Sequence, residues 1–375
     1  MKKRYNVELF GASSFFNDIG SDMIAPLLPF YILSMGGTGI AVGLLSGMRE
    51  GLSSLFKILG GYISDKIGKR KIFVFFGYLI SVVFRFLLLI AGSWQQVIAF
   101  VSFERIGKSR DAPRDAIIED STKKTGTGFG ISQMMDTSGA IIVTILVLFL
   151  FWKFNFEIKK IILIAASIAI LSLFPIFFVK EPKFRRNRKN LFKSIGLMPS
   201  KLKYFVFVAG VFSLCNFGLY MFLLLMAKEF SGNLIAPIMM YLLFNIFWAF
   251  FSIPFGKLSD KIGRKKVLIA GYLLFLFVSI GFIFVSDLYL FAVLFGLYGL
   301  VYAMTNANSR AFVADLSDTM KGTEMGFYYF VTGIATIPAG LIAGVLWNIN
   351  PATMFIYISV IAFISLVLLC FVKNK

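Results

Sequence analysis

A short basic loop occurs twice in this chain, and the two copies lie 195 positions apart. The first copy reads GYISDKIGKRK (residues 61–71) and the second reads GKLSDKIGRKK (residues 256–266). Each copy joins two long apolar stretches and turns the chain at a glycine. Each then adds a run of lysine and arginine that the core of a bilayer would reject. Two such loops at corresponding points of a 375-residue chain predict a duplicated membrane protein.

The composition also indicates a membrane protein, since 58% of the residues are hydrophobic and 15% are charged. The formal net charge of +19 does not predict nucleic-acid binding, because the basic residues lie in short loops between apolar stretches. Histidine is absent, so a proton-coupled step has to use aspartate or glutamate. The two cysteines, Cys215 and Cys370, lie inside apolar stretches and are predicted to be small core residues without a disulfide. No phosphate-binding loop motif occurs, and no cofactor, metal or enzymatic activity is predicted.

Twelve apolar stretches are long enough to cross a bilayer, which requires about 20 residues. Thirty of the 38 lysines and arginines fall on the side that holds the N-terminus, and four fall on the other side. This bias predicts a multi-pass protein of the plasma or inner membrane with both termini in the cytoplasm. We number the stretches span 1 to span 12 and predict them at residues 7–33, 41–63, 71–92, 95–116, 127–150, 160–180, 204–229, 235–259, 266–286, 288–311, 322–347 and 351–372.

The spans divide the chain into two halves, with an N-terminal six-helix bundle at residues 1–180 and a C-terminal six-helix bundle at residues 204–375. Residues 181–203 are predicted to form a cytoplasmic basic linker. The segment from Lys180 to Lys203 holds nine basic residues and one acid. Contact with anionic lipid headgroups and a merely solvated tether are equally compatible with this composition.

Both repeated loops resemble the G-x-x-x-D-[RK]-x-G-[RK]-[RK] loop of the major facilitator superfamily, which lies between helices 2 and 3 and between helices 8 and 9. The halves also match after spans 4 and 10, where RDAIIE (residues 114–119) parallels RAFVAD (residues 310–315). The resemblance implies an all-α membrane protein with twelve transmembrane helices in two six-helix pseudo-symmetric halves, the major facilitator fold.

Three N-terminal segments resemble a subgroup of bacterial and archaeal facilitators, at residues 17–29, 105–115 and 135–140. The resemblance supports Asp22, Arg105 and Asp136 as functional positions. Drug/proton antiporters of the superfamily usually carry a Gly-Pro pair in helix 5. Here Ala140 follows Gly139, which departs from the antiporter pattern.

The resemblance assigns the loop aspartates to a cytoplasmic latch. Asp65 is expected near the start of span 11 with Arg110 or Arg114 beside it, and Asp260 near the start of span 5 with Arg310 beside it. A carboxylate near a helix N-terminus gains roughly 0.3–1 kcal/mol. The alternative is that these residues only set topology and turn geometry. The predicted cytoplasmic gate comprises Gly61, Asp65, Gly68, Arg110, Arg114, Asp260, Gly263 and Arg310.

Glycines one helical turn apart occur in spans 2 and 11, at Gly43, Gly47 and Gly51 and at Gly340 and Gly344. Such spacing lets helix backbones approach closely. The resemblance implies that these two spans meet across the halves, so Gly43, Gly47, Gly340 and Gly344 are predicted to form an outer gate. Tight packing within one half is the alternative.

Charged residues lie near the middle of the spans in the N-terminal half only. A charge there costs at least about 2.5 kcal/mol, so each is a functional candidate. Five acids accompany three arginines, and simple pairing leaves two acids able to carry protons. Structural ion pairing of all of them is the alternative. The proton-coupling candidates are Asp22, Asp136, Glu104, Asp18 and Glu50, and the arginines are Arg49, Arg85 and Arg105.

The corresponding depth of the C-terminal half offers amides, hydroxyls and aromatic rings, including Tyr241 and Tyr302. The predicted substrate cavity comprises Arg49, Arg105, Asn216, Tyr220, Asn245, Trp248, Asn306 and Tyr329.

We therefore expect a monomeric secondary transporter working by alternating access, with a small-molecule substrate, protons and the lipid bilayer as partners. Proton-coupled efflux of an amphipathic or cationic compound suits the excess of acids and the aromatic residues. The alternative is symport or facilitated passage of a small organic anion or sugar, with Arg49 or Arg105 binding a carboxylate or phosphate. A further alternative is a non-transporting lipid-handling or sensor protein on the same fold.

Overall fold

The computed structural model of the chain describes residues 2–67, 70–111, 126–154, 156–179, 198–317 and 321–372. Within these ranges every regular element is a helix. The α-helices are Lys2–Ile24 and Leu28–Ser34 (span 1), Gly39–Ile67 (span 2), Arg70–Leu87 (span 3), Trp94–Ile106 (span 4), Gly126–Phe154 (span 5), Ile158–Ile170 and Phe174–Phe178 (span 6), Ser200–Ser213 and Tyr220–Ser231 (span 7), Ile235–Ile262 (span 8), Arg264–Phe284 (span 9), Leu288–Leu316 (span 10), Lys321–Ile349 (span 11) and Pro351–Cys370 (span 12).

Eight of the described helical stretches are long and apolar enough to cross a membrane, namely spans 3, 5, 6 and 8 to 12. The other four are interrupted or polar. Span 1 carries Asp18 and Asp22, and span 2 carries Arg49 and Glu50 near its centre. The α-helix of span 4 is only 13 residues long before it tightens into a 3-10 turn. Polarity is therefore concentrated in a few spans, and most of these contribute to the site described below.

The sequence predicts spans 1 and 7 as continuous helices, but span 1 is broken after Ile24 and span 7 is broken after Ser213. Pro26 and Pro29 accompany the break in span 1, because proline removes an amide donor and clashes with the preceding turn. Span 7 unwinds between Ser213 and Tyr220, where Gly218 has a φ of +70° that other residues rarely adopt. Gly263, with a φ of +98°, ends span 8 in the sharp turn that the loop motif predicts.

The most extensive helix contacts join the two halves, since span 2 packs against span 11 and span 5 packs against span 8. The second helix of span 7 also contacts span 2 and the second helix of span 1. The main apolar core runs through both halves. Large apolar side chains such as Trp152, Phe250 and Phe284 are exposed, which is typical of a surface that lipid covers. Most of the predicted linker, up to residue 197, lies outside the described residues.

Candidate functional site

Span 1 presents an exposed face to the interior of the protein. Phe15 is exposed, the Asp18 side chain is 45% exposed and Asp22 is partly exposed, whereas Ala25 is buried. The Nζ atom of Lys108, just after the α-helix of span 4, lies 3.8 Å from Oδ1 of Asp18, so this face does not look towards lipid. Exposure therefore decreases along span 1, as in a cavity that opens on the side of the chain termini and closes beyond Asp22. We call that side the terminal side and the other the opposite side.

Three charges of spans 3 and 4 form a buried ion network beside this cavity. Arg85 donates a 2.9 Å hydrogen bond from Nη2 to Oε1 of Glu104 and another from Nη1 to the carbonyl of Asn17. The Nε atom of Arg105 lies 2.9 Å from Oε2 of Glu104, an ion contact without hydrogen-bond geometry. The Glu104 carboxylate thus compensates two guanidinium groups, and Arg85 ties spans 1, 3 and 4 together.

Replacement of Glu104 by glutamine is expected to destabilise the protein strongly, because two buried guanidinium groups would lose their shared counter-ion. Breaking one side of a buried ion pair costs about 3–5 kcal/mol. Thermal unfolding of the purified variant measures the effect, with Glu157→Gln on the exposed loop before span 6 as the control. Equal unfolding temperatures for the two variants would contradict this account of the network.

Two of the predicted coupling acids, Asp22 and Glu50, form no hydrogen bond or ion pair with any described residue. Asp22 lies within electrostatic reach of Arg49, Arg85, Lys108 and Asp18 without touching them. Glu50 is exposed at the middle of span 2, which places its carboxylate in the cavity. The backbone at Asp136 is helical, but its side chain lies outside the described residues.

Arg49 connects the N-terminal half to the break in span 7. It is only 8% exposed, and its Nη1 atom donates a 3.3 Å hydrogen bond to the phenol oxygen of Tyr220, the first residue after the break. Its Nε atom has no hydrogen-bond acceptor among the described residues. Arg49, Tyr220 and Glu50 therefore meet where the two halves join, and Arg105 is near enough to interact electrostatically with Tyr220.

Aromatic rings of spans 7, 8 and 10 form a continuous wall in the C-terminal half. Tyr220 packs on Tyr241, with ring centroids 5.5 Å apart, and Trp248 meets Tyr302 edge-on at 4.9 Å. The phenol of Tyr298 donates a 3.0 Å hydrogen bond to Oδ1 of Asn216. The Nε1 atom of Trp248 is buried and donates to no described residue. The wall is therefore apolar in body and carries hydroxyl and indole groups at fixed positions.

The remaining predicted cavity residues differ in position. Asn245 is 1% exposed and donates to the carbonyl of Tyr241 in its own helix, so its side chain does not line the cavity surface. Asn306 is partly exposed one turn beyond Tyr302. Tyr329 lies towards the terminal side, with Nζ of Lys57 5.9 Å from its ring centre.

The predictions did not single out Phe244 and Tyr298 of the aromatic wall or Lys108 beside Asp18. Tyr298 lies one turn before Tyr302 on span 10, so helical spacing contained the signal for it. Lys108 lies towards the end of predicted span 4 and is counted among the basic residues of the side that holds the N-terminus, so the charge pairing leaves it out. Phe244 has no distinguishing signal among the 45 phenylalanines of the chain.

The four glycines of the predicted outer gate come together across the two halves. A Cβ atom built on Gly43 would overlap the carbonyl of Gly340, and one built on Gly340 would overlap the carbonyl of Gly43. The hydroxyl of Thr336 donates a 3.1 Å hydrogen bond to the carbonyl of Gly47, and a Cβ on Gly344 would lie 2.6 Å from the carbonyl of Gly39. Spans 2 and 11 therefore cross backbone to backbone, as only glycine permits.

The predicted cytoplasmic gate is only partly described. Gly68 and Arg114 lie outside the described residues, as do the side chain of Asp65 and the surroundings of Gly61. Arg110 is buried under the ring of Tyr78 and donates to Ser81 and to two backbone carbonyls, which joins spans 3 and 4.

In the second loop, Arg264 lies 2.6 Å from Asp260 and 3.1 Å from Asp315. Arg264 of the same loop is therefore one cation beside Asp260, and the predicted contact of Asp260 with Arg310 stays a prediction. Arg310 itself lies partly exposed on span 10. Arg264 thus links the two ends of the second loop to each other and links the loop to the end of span 10.

No cluster of three or more aspartate, glutamate or cysteine side chains able to hold a metal ion occurs in the described part of the chain.

The family model described as Major Facilitator Superfamily matches residues 10–206 and again residues 205–375. An uncharacterised MFS-type transporter of Methanocaldococcus jannaschii is 47% identical over 98% of this chain and 94% of its own length. The multidrug resistance protein MdtH of Photorhabdus laumondii is 24% identical over 82% of this chain and 78% of its own length.

Solved structures show the same fold at low identity. A variant of the nucleoside transporter NupG superposes with a TM-score of 0.81 at 12% identity, covering 98% of this chain and all of that one. The human organic anion transporter MFSD10 superposes with a TM-score of 0.74 at 17% identity and the same coverage. The chain therefore belongs to the major facilitator superfamily, a family of multi-pass membrane transporters rather than enzymes.

Proposed function

We propose that this protein is a secondary active transporter that couples proton movement to the passage of a small amphipathic organic solute. The observation that carries the proposal is the position of Asp22. Its carboxylate lies in the middle of span 1, where the cavity ends, and no described residue pairs with it. A carboxyl group without a counter-ion in such surroundings can take up and release a proton as its environment changes.

Alternating access is supported by the asymmetry of the two membrane sides. On the opposite side the halves are in backbone contact at Gly43 and Gly340, and the second helix of span 7 lies against spans 1 and 2. On the terminal side, Phe15 and Asp18 are exposed. With both termini in the cytoplasm, this arrangement is an inward-facing state. The glycine crossing then serves as the outer gate.

The loops of the terminal side serve as the inner gate in the outward-facing state. Asp260 is held by Arg264, which keeps the second loop as one unit that moves with spans 8 to 10. Arg110 holds spans 3 and 4 together within its own half, so we assign it to the body of that half and leave the latch to the loop residues.

Glu104 is less suited than Asp22 to carry the proton, because two guanidinium groups hold its carboxylate. Asp18 forms an ion pair with Lys108, whereas Glu50 has no partner among the described residues. We therefore place Asp22 first and Glu50 second among the candidates for coupling.

The charge of the solute has two candidates. Export of a cation is favoured by the carboxylates of Asp18 and Glu50 in the cavity and by the 24% identity to a multidrug resistance protein. Passage of an anion is favoured by Arg49, which is buried in the same cavity with a phenol as its only hydrogen-bond partner among the described residues.

Proton coupling is tested with the purified protein in liposomes that enclose a pH-sensitive dye. Addition of 4-phenylbutyrate or 4-phenylbutylamine, as anionic and cationic probes, is expected to change the internal pH faster in liposomes with protein than in protein-free liposomes, which the uncharged form of each probe also crosses. A protonophore should abolish the change. Movement of either probe that neither alters the internal pH nor responds to an imposed pH gradient would contradict the proposal.

A further inference from the structure

We propose that the break in span 7, together with Arg49, forms a binding site for the carboxylate of the solute, so that the transported compound is an amphipathic organic anion. The inference rests on the proposed transport function and specifies its substrate class. It is carried by hydrogen-bond donors that have no acceptor among the described residues and that lie where the two halves meet.

The first group of donors belongs to the backbone of the break. The segment is buried, with Phe217 and Leu219 at most 1% exposed. The carbonyls of Phe217, Gly218 and Leu219 are satisfied, since Ser46 donates to the first two at 2.6 and 3.1 Å and the amide of Leu223 donates to the third at 3.2 Å. The four consecutive amides from Phe217 to Tyr220, in contrast, donate to no described residue. From Phe217 to Tyr220 the unmatched backbone groups are therefore donors, which favours an anion as the ligand at this end of the break and disfavours a cation.

The second donor is the guanidinium of Arg49. Arg49 is more than nine-tenths buried, and its Nη1 atom points at the phenol of Tyr220, the first residue of the helix that follows the break. Its Nε atom has no acceptor among the described residues. A buried guanidinium with one 3.3 Å bond to a neutral phenol lacks the planar two-oxygen partner that it matches best. A carboxylate between Arg49 and the amides would supply that partner.

The helix that follows the break strengthens the same preference. Its 12 residues, Tyr220–Ser231, begin at the break, and the N-terminus of a helix favours negative charge. Transporters with interrupted helices place such N-termini against anionic groups of their substrates. Two independent features, the free amides and the unmatched arginine, thus select the same sign of charge.

The surrounding wall indicates the rest of the ligand. Tyr220, Tyr241, Tyr302 and Trp248 form a continuous aromatic surface beside the break. The buried indole N–H of Trp248 is a further donor without an acceptor in the described part of the chain. An elongated compound with a carboxylate at one end and an aromatic or aliphatic body fits this arrangement of donors and rings.

The carboxylate of Glu50 lies close enough to the break to repel the carboxylate of a bound solute. The Cγ atom of Glu50 lies 3.9 Å from the position of a Cβ built on Gly218, so its carboxylate is beside the same break. A negative charge on Glu50 opposes the binding of a second carboxylate there. Replacement of Glu50 by glutamine is therefore expected to tighten anion binding, whereas a role for Glu50 in binding a cation predicts the reverse.

The test uses thermal unfolding of the full-length protein in nanodiscs with three probes that share one body: 4-phenylbutyrate, 4-phenylbutanamide and 4-phenylbutylamine. Octanoate and indole-3-acetate extend the carboxylates. The carboxylates are expected to raise the unfolding temperature and the amine to leave it unchanged. Arg49→Ala is expected to weaken the apparent affinity for 4-phenylbutyrate by about 10- to 100-fold, the range for a hydrogen bond to a charged group. Arg49→Lys should lose less, because it keeps the charge without the planar fork.

Controls separate binding from folding and from proton coupling. Lys153→Ala removes an exposed positive charge far from the break and should bind like the unaltered chain. If Arg49→Ala does not fold, Tyr220→Phe and Trp248→Phe give smaller losses that test the same site. Asp22→Asn should retain carboxylate binding even where it loses proton coupling, so the two proposals fail separately. Stabilisation by the amine or amide as strong as that by the carboxylates, or no stabilisation by any of the three carboxylates, would overturn the inference.

Discussion

Liposomes containing the Asp22→Asn variant are expected to show no proton-driven accumulation of solute above the level of protein-free liposomes, while solute exchange continues at nearly its original rate. Asparagine has almost the same shape as aspartic acid but cannot release a proton. Accumulation requires a proton to bind on one side and leave on the other, whereas exchange requires only that the loaded protein changes conformation. The loss should therefore be complete for one reaction and small for the other.

Labelled 4-phenylbutyrate distinguishes the two reactions. Accumulation is measured with the acidic side first outside and then inside the liposomes, and the orientation that drives uptake also separates symport from antiport. Exchange is measured by preloading the liposomes with unlabelled compound. Glu157→Gln, which removes an exposed acid outside the cavity, serves as the matched control. Undiminished uphill transport by Asp22→Asn would exclude Asp22 as the proton carrier.

The N-terminal charges show what sequence alone can and cannot provide. Their position inside apolar stretches identified the polar centre, because insertion of a charge into a bilayer is costly. Their pairing did not follow from counting acids and arginines. Glu104 binds both Arg85 and Arg105, and Asp18 pairs with Lys108, which lies just after the α-helix of span 4. Partner choice depends on side-chain direction around several helices at once, which spacing along one helix does not determine.

The breaks in spans 1 and 7 mark a second boundary of prediction. The hydrophobic stretches predicted the location of both spans, since length and apolar character suffice for that. The excess of unmatched donors at the break in span 7 could not be predicted. It arises because Ser46, which belongs to the other half, donates to the carbonyls of Phe217 and Gly218 and leaves the amides unmatched. The glycine crossing, in contrast, was predictable from small residues one turn apart, because their spacing directly limits how closely two backbones approach.

Replacement of Gly340 by alanine is expected to reduce transport in both directions to the background level, a larger effect than one methyl group has at most helix surfaces. The new Cβ atom would overlap the carbonyl of Gly43, which is backbone and cannot rotate away. Spans 2 and 11 would then have to separate, and the opposite side could no longer close as it does here. Because solute release to the terminal side requires that closure, exchange should fail together with accumulation, unlike in Asp22→Asn.

The same helix offers a matched control. A Cβ atom on Gly326 would have its nearest neighbour, Cγ1 of Ile58, at an ordinary distance of 3.8 Å, so Gly326→Ala should transport normally.

Closure itself is measured with a short bis-maleimide that links cysteines placed at Leu33 and Lys228, which line one pocket between the halves on the opposite side. Cysteines at Gly47 and Gly340 would be unsuitable, because their side chains would meet backbone. We expect cross-linking to persist in Gly326→Ala and to fall sharply in Gly340→Ala. Equal cross-linking in the two variants, with transport intact, would mean that spans 2 and 11 can close without this contact, and the outer gate would have to lie elsewhere.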